Sequence, residues 1–192
     1  MVACVLLSLF VLGACVDSPP PVVKTPSGAN APRTQFPMPP TRAASQAADD
    51  GQPDGFTLMD NRRMRLSDFA GEVVVLDFYA TWCPPCREET PHLVKLHQLY
   101  GAQGLRIIGL NVGGAEDRDK VPGFISDYGI PYALGFPDRE MTSLYLSDDD
   151  RIPQAFVFNR QGKLVKRFIS YDDTMPAELE RVIKTELTAS RN

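Results

Sequence analysis

The chain has 192 residues, of which 43% are hydrophobic and 23% are charged. This length and composition fit one globular domain with appended segments better than two full domains. The formal net charge is −4 and both signs are interspersed. No basic stretch is long enough to follow a phosphate backbone, so we do not expect nucleic acid as a partner.

Residues 1–14 form an apolar run that is too short to span a bilayer as a helix and is typical of a secretory leader. Its end, Leu12-Gly13-Ala14-Cys15, resembles the bacterial lipoprotein signal. The resemblance implies that Cys15 becomes the lipidated first residue of a protein anchored on the periplasmic side of the cell envelope, because acyl chains partition into the bilayer. A buried hydrophobic helix is the alternative interpretation of this run.

Residues 15–53 form a second distinct segment. Nine of the 17 prolines lie between Pro19 and Pro53, mixed with Ala, Ser, Thr and Gln. A segment of this composition buries too little apolar surface to fold. We therefore predict a Pro-rich disordered tether with a reach of roughly 35 Å to about 120 Å, depending on how far it is polyproline-like.

Residues 54–192 carry the patterns of one folded α/β domain. The predicted elements are, in chain order, a hairpin over "DGFTLMDNRRMRLSDFAG", a buried strand "EVVVLDFYA", a helix over 84–100 that Gly101 ends, a buried strand "LRIIGLNVG", short helices over 119–128 and 138–146, a hairpin of "QAFVFN" and "KLVKRFI", and a closing helix over 175–187. The central part needs a parallel crossover, whereas the last hairpin is antiparallel. This order predicts a three-layer α/β sandwich around a mixed sheet.

Two cysteines, Cys83 and Cys86, lie in the stretch "YATWCPPCREE", where the first buried strand gives way to a helix. Pro84 falls in the first helical turn, where its missing N–H costs nothing. A helix start presents unpaired N–H groups and a partial positive charge, which lower the pKa of a cysteine and favour its thiolate. We expect Cys83 to be the exposed attacking residue and Cys86, facing inward, to resolve the mixed disulfide.

Three kinds of site are compatible with the C-x-x-C spacing, and reversible redox chemistry is the one that the sequence favours. Two lone cysteines in an oxidising compartment usually pair, but a structural disulfide over so short a loop adds little stability. A tetrahedral zinc site needs four ligands. The only histidines, His92 and His97, follow on the same helix without an obvious convergence on the dithiol.

The stretch "VVVLDFYATWCPPCREETP" resembles the active-site region of the thioredoxin superfamily. Within that superfamily it is most similar to the extracytoplasmic thiol-disulfide oxidoreductases of the TlpA/ResA/DsbE type, also called redoxin or AhpC/TSA-like proteins. The resemblance covers residues 54–187 and implies a thioredoxin-like fold, a Cys83–Cys86 disulfide and, over residues 113–146, an inserted helix and strand. The peroxidatic motif of the peroxiredoxin branch is absent from the sequence.

The resemblance also implies roles for residues around the dithiol. Trp82 should pack beside it, the alternative being a plain core aromatic. Asp77 matches a buried carboxylate that exchanges a proton with the second cysteine, the alternative being a satisfied structural carboxylate. Glu89 matches an acidic residue near the dithiol. Its neighbour Glu88 is the alternative candidate, and both carboxylates would otherwise be solvated charges on the helix surface.

A further group of residues lies later in the chain, in "RIPQAFVF". Pro153 matches the cis-proline opposite the dithiol, and the turn there leaves the backbone of Ile152 free to pair with an extended substrate. Together with Trp82 and Pro84, these residues form the expected substrate-binding set. The sequence Pro-Gln-Ala-Phe departs from the usual Pro-Thr-Thr-Phe. The acidic run 148–150 just before it is either a solvated loop or a feature that repels acidic partners and disfavours the thiolate.

These observations predict a membrane-tethered thiol-disulfide oxidoreductase. The resemblance implies that it reduces disulfides of extracytoplasmic proteins, such as apocytochrome c, with electrons from a membrane thiol donor. We expect no cofactor and no resident metal. The alternative is a copper or zinc assembly chaperone that uses the same dithiol, since soft thiolates suit Cu(I).

Overall fold

The computed structural model of the protein describes residues 55–189. The predicted leader over 1–14, the predicted lipidation site Cys15 and the predicted tether over 15–53 lie outside the described residues. The predicted α/β domain is described from its first strand to its closing helix.

Within residues 55–189 the chain forms a seven-stranded sheet with five α-helices. The strands are β1 Gly55–Leu58, β2 Arg63–Arg65, β3 Val73–Tyr79, β4 Leu105–Asn111, β5 Ala133–Pro137, β6 Gln154–Phe158 and β7 Leu164–Ile169. The helices are α1 Pro84–Tyr100, α2 Ala115–Arg118, α3 Val121–Tyr128, α4 Arg139–Leu146 and α5 Met175–Thr188. The strand order is β2-β1-β5-β4-β3-β6-β7, in which β3, β4 and β5 are parallel and the other neighbours antiparallel. The predicted mixed sheet is confirmed.

Strand β3 lies inside the sheet, between β4 and β6, and all seven of its residues are buried. Because successive side chains of a strand point to opposite faces, β3 contributes to two separate apolar clusters. Val75 and Tyr79 belong to the cluster that includes side chains of α1, α3 and α5. Leu76 and Phe78 belong to the cluster that includes side chains of α4. The helices therefore cover both faces, and the predicted three-layer sandwich is confirmed.

Helix α1 ends at Tyr100 and Gly101 is its C-cap residue, as predicted. Gly101 has right-handed helical dihedral angles, φ −56° and ψ −43°, and begins a 3₁₀ turn over Gly101–Gln103. The left-handed residue is Gly104, with φ +98°. A residue with positive φ breaks the helical hydrogen-bond pattern, and glycine adopts it without steric cost. The α-helix therefore ends where the sequence predicts, and the 3₁₀ turn that follows it ends at Gly104.

The prediction did not locate strand β5 within the inserted segment. The short sequence "ALGFP" contains Gly135 and Pro137, which are typical of turns. Its parallel pairing with β4 and antiparallel pairing with β1 make it a strand. Gly135 is required there because a β-carbon at this position would lie 2.5 Å from the backbone oxygen of Thr57. The N-terminal hairpin therefore joins the sheet through a close backbone contact.

We predict that Gly135→Ala destabilises the domain by about 1–3 kcal/mol, because the added methyl group must push β1 and β5 apart. Thermal or chemical unfolding of the purified protein measures this loss. Gly123→Ala is the matched control, since nothing lies within 4 Å of the added β-carbon on α3. That control should be neutral or stabilising by up to about 1 kcal/mol. Equal stability of the two variants would contradict the proposed close contact between β1 and β5.

Candidate active site

The two cysteines lie at the start of α1, directly after β3. Cys83 is the N-cap residue of the helix and Cys86 lies in its first turn. They are joined by a disulfide, with a Cα–Cα distance of 5.3 Å. The sulfur of Cys83 accepts a hydrogen bond from the backbone N–H of Cys86 over 3.3 Å. In the reduced protein, this donor and the positive end of the helix would both stabilise a thiolate at Cys83.

The cysteines are less accessible than the sequence suggests. Cys83 is 3% exposed and Cys86 is 1% exposed, so the expectation of an exposed Cys83 is wrong. The physical reason is a contact made by a distant loop, because the carbonyl oxygen of Ile152 lies 3.7 Å from the sulfur of Cys83. Both sulfurs also belong to the apolar cluster beneath α1. The sulfur of Cys83 is therefore covered both by this loop and by the apolar cluster.

The residues expected to bind substrate differ in exposure. Trp82 is 57% exposed, so its alternative interpretation as a core aromatic is wrong. Pro84 is also exposed, on the other side of Cys83 in the chain. The Ile152–Pro153 peptide bond is cis, and Pro153 is buried while Ile152 is half-buried. The dithiol is therefore preceded in the chain by an exposed indole, and the Ile152 backbone contacts the sulfur of Cys83.

Two carboxylates are buried in the core of the domain. Asp77 is 4% exposed on β3, and Glu89 is 1% exposed on α1. Asp77 lies two residues from both Val75 and Tyr79, so its side chain points to the same face of the strand as theirs. That face packs against the layer that contains α1. Among the described residues no hydrogen-bond partner reaches Asp77 Oδ1 or either carboxylate oxygen of Glu89. Glu89 is therefore not a solvated charge on the helix surface.

Burial shifts the titration of both carboxyl groups. Desolvation raises the pKa of Asp77 to about 7. Desolvation raises the pKa of Glu89 well above its ordinary value, and the negative charge of Asp77 raises it further. A like charge nearby makes simultaneous ionisation of both groups unfavourable. The pair can therefore hold a proton near neutral pH, as a group that exchanges protons with a thiol must. Glu88, by contrast, is exposed.

A third carboxylate, Asp117 on α2, braces the connection between β3 and the dithiol. It is 1% exposed and accepts hydrogen bonds from the backbone N–H and the hydroxyl of Thr81 and from the side-chain amide of Asn111. Burial raises its pKa, but hydrogen bonds from Asn111 and Thr81 outweigh this effect and lower the pKa overall. A charge with several hydrogen-bond donors is satisfied although buried. The inserted segment thus holds Thr81, two positions before Cys83, through hydrogen bonds to Asp117.

Sequence reasoning missed Asp117 because it lies in the charged run "AEDRDK", which is typical of a helix surface. One local signal exists, namely the pair Gly113-Gly114 before α2. A β-carbon on Gly113 would overlap the carboxylate of Asp117.

Arg87 makes a second link to the inserted segment, since its Nε donates to the hydroxyl of Tyr128 over 3.1 Å.

Two of the three carboxylates in the acidic run 148–150 are paired with arginines. Arg167 contacts the carboxylate of Asp148 at 2.6 Å, and Arg151 contacts that of Asp149 at 2.5 Å. Hydrogen bonds from Arg151 lower the pKa of Asp149 to about 2. The run therefore presents less net negative charge beside the dithiol than its sequence suggests.

No helix within residues 55–189 is long and apolar enough to cross a membrane. The same residues contain no group of three or more His, Cys, Asp and Glu side chains placed to hold a metal ion.

Comparison with known proteins finds the same domain elsewhere. The family model described as Redoxin matches residues 28–183. The thiol-disulfide oxidoreductase ResA of Bacillus subtilis is 35% identical over 58% of this chain and 62% of its own length. The ResA protein of Geobacillus thermodenitrificans is 33% identical over 66% of this chain and 71% of its own length. The crystal structure of a protein described as thiol:disulfide interchange protein DsbE, from Chlorobium tepidum, superposes with a TM-score of 0.62 at 25% identity, covering 69% of this chain and 92% of that one.

We predict that Asp77 makes the stability of the domain fall as pH rises. The folded protein keeps the proton of Asp77 up to about pH 7, whereas the unfolded chain loses it near the ordinary value of 3.8. Stability is therefore lost as pH rises between these two values, by about 4 kcal/mol for a difference of this size. The free energy of unfolding of Asp77→Asn minus that of wild type should increase by about this amount over the same range.

Urea unfolding across the pH range measures the difference, with Asp119→Asn as the control because Asp119 is exposed on the same domain. The control should follow the wild-type pH profile. A constant difference between Asp77→Asn and wild type at every pH would contradict the assigned titration of Asp77.

Proposed function

The chain belongs to the redoxin family and is a thioredoxin-like protein of the TlpA/ResA/DsbE type, and from this premise we propose that it reduces disulfides in extracytoplasmic proteins through Cys83 and Cys86. The observation that carries the proposal is the position of the Cys83 sulfur. It caps the N-terminus of α1 and accepts a hydrogen bond from the Cys86 N–H. This environment favours an ionised sulfur, which is the form that attacks a disulfide.

The proposed reaction has two exchange steps. The thiolate of Cys83 attacks one sulfur of the partner disulfide, so a bond forms between the proteins and the partner's other sulfur leaves as a thiolate that takes up a proton. The thiolate of Cys86 then attacks the Cys83 sulfur and releases the partner's second thiolate. Two electrons pass to the partner, and the product is the Cys83–Cys86 disulfide that the structure contains. A thiol donor regenerates the dithiol by the reverse sequence.

We assign the proton exchange of Cys86 to the buried carboxylates Asp77 and Glu89. Cys86 must lose a proton before it attacks, and it is 1% exposed, so water has little access to it. Both carboxylates lie within the layer that contains α1, and their raised pKa values allow proton exchange near neutral pH. Ionised Asp77 makes it harder for Glu89 to lose its own proton, so the two act as a coupled pair.

We assign substrate binding to the surface around Cys83. Trp82 and Pro84 offer exposed apolar area, and the backbone of Ile152 lies opposite the sulfur. An extended segment of a partner can pair with a free backbone edge as an added strand. Because the Ile152 carbonyl oxygen lies 3.7 Å from the Cys83 sulfur, a segment paired there would bring its disulfide to that sulfur.

We further propose that the protein is lipid-anchored through Cys15 on the periplasmic side of a bacterial cell envelope, at the end of the tether over 15–53. The lipoprotein-like sequence Leu12-Gly13-Ala14-Cys15 supports the anchor. Relatives of the ResA and DsbE type are extracytoplasmic, which supports the compartment. A membrane thiol protein is the proposed electron donor, and apocytochrome c is a proposed substrate.

The dithiol proposal predicts that Cys86→Ser accumulates a mixed disulfide. Cys83 can still attack a partner, but no second thiol releases it. Insulin reduction should fall to background, while non-reducing gels show a covalent adduct whose partner mass spectrometry identifies. Cys83→Ser is the matched control and should form no adduct, because the N-cap position of α1, which favours a thiolate, belongs to Cys83 and not to Cys86. Adducts of equal amount in both variants, or reductase activity that survives in either, would rule out the assigned roles.

The anchor proposal predicts that Cys15→Ala moves the protein from the membrane fraction to the soluble extract, because the acyl chains are lost. Fractionation followed by immunodetection measures the shift. Cys4→Ala is the control, since Cys4 lies in the part of the leader that is removed, and it should leave the protein with the membranes. Sedimentation of Cys15→Ala with membranes would exclude anchoring through this residue.

A further inference from the structure

We propose that Gln154 and Arg167 are positioning residues that hold the loop over 148–152 in place, and with it the Ile152 backbone opposite Cys83, so that the protein reacts selectively with disulfides carried on extended polypeptides. This inference rests on the proposed function of the dithiol. Gln154 is the first of two positions, with Ala155, at which the chain departs from the usual Pro-Thr-Thr-Phe sequence.

Gln154 is fully buried at the start of β6, with 0% of its surface exposed. Its amide nitrogen donates hydrogen bonds to the carbonyl oxygens of Asp149 and Arg151, each over 2.7 Å. Its amide oxygen accepts a hydrogen bond from Nε of Arg167 over 2.8 Å. A buried amide is costly unless its groups are paired, so the loop must stay where these carbonyls can reach Gln154.

Arg167 completes the arrangement from the neighbouring strand β7. Its terminal nitrogens donate to the carboxylate of Asp148 over 2.6 Å and to the carbonyl oxygen of Asp149 over 3.3 Å. Its guanidinium also lies 5.2 Å from the ring centroid of Phe156, directly across the strand pair. The planar, multidentate guanidinium therefore joins two loop positions, the Gln154 side chain and the sheet. A Lys at this position could not reproduce those contacts.

The network brackets the residue that faces the dithiol. Gln154 binds the carbonyl of Arg151, immediately before Ile152, and its own backbone follows Pro153. The residue after Ile152 is also held, because the carbonyl oxygen of Pro153 accepts a hydrogen bond from the backbone N–H of Ser170 over 2.9 Å. Ile152 thus has little freedom to move away from the Cys83 sulfur, which is 3.7 Å from its carbonyl oxygen.

The consequence differs between classes of substrate. A peptide disulfide must align its backbone with Ile152 while its sulfur meets Cys83, and such alignment is sensitive to displacements of about 1 Å. A small disulfide without a polypeptide backbone needs only access to the sulfur. Loosening the loop should therefore slow reaction with peptide disulfides more than reaction with small disulfides. A purely structural role would lower stability without separating the two reactions.

The test compares reduced wild type with Gln154→Leu and Arg167→Met. The two probes are an oxidised peptide with one disulfide in an extended segment and bis(2-hydroxyethyl) disulfide. Oxidation of the dithiol is followed by the fluorescence of Trp82, the single tryptophan of the chain. Lys166→Met is the matched control, because Lys166 lies on the same strand but pairs with Glu178 on α5.

Both variants should react about 10- to 100-fold more slowly with the peptide, while their rates with the small disulfide stay within about twofold of wild type. Lys166→Met should match wild type with both probes. Equal slowing with both probes, or no slowing with the peptide, would overturn the inference, and Arg167→Met alone decides the matter if Gln154→Leu does not fold. A wild-type protein that reacts with neither probe would instead refute the proposed function itself.

Discussion

The structure depends on the junction between β3 and α1, where the chain leaves a fully buried strand and begins a helix within four residues, 80–83. This short connection has to place a sulfur at the helix N-terminus without leaving buried polar groups unpaired. Asp117 accepts hydrogen bonds from the backbone N–H and the hydroxyl of Thr81, so neither of these buried groups is left unpaired. The backbone N–H of Cys86 donates a hydrogen bond to the sulfur of Cys83 and so holds that sulfur at the helix N-terminus. The environment of the dithiol is therefore built from both the strand–helix connection and the inserted segment.

Beneath this junction the domain tolerates an unfavourable feature. Asp77 and Glu89 are buried within an otherwise apolar layer, and their unpaired oxygens cost stability whenever either group ionises. Such an arrangement has no benefit for packing, because an apolar residue would fill the same space at lower free energy. Groups of this kind are concentrated at functional sites, where a shifted pKa serves proton transfer. Glu89 lies three residues after Cys86 on α1, which supports the proton exchange proposed for this pair.

Much of the fold could be predicted from the sequence, because β3, α1 and α5 have long, regular apolar patterns. Strand β5 could not be placed, since Gly135 and Pro137 resemble turn residues and only pairing with β1 and β4 makes the segment a strand. The two cysteines were identifiable from their spacing and from the strand before them. The burial of Cys83 was not, because it depends on Ile152, 69 residues later in the chain. The burial of Asp117 could not be predicted either, because the charged sequence around it is the same whether the carboxylate is buried or exposed to solvent.

The position of β1 has a consequence for how the domain is oriented. Phe56 pairs with Pro137, at the carboxyl end of β5, and β5 is parallel to β4 and β3. The carboxyl end of β3 is followed by Cys83. The start of β1, with Gly55 as the first described residue, and the dithiol therefore lie at the same end of the parallel strands. A partner that contacts both the start of β1 and the sulfur of Cys83 can approach them from one direction.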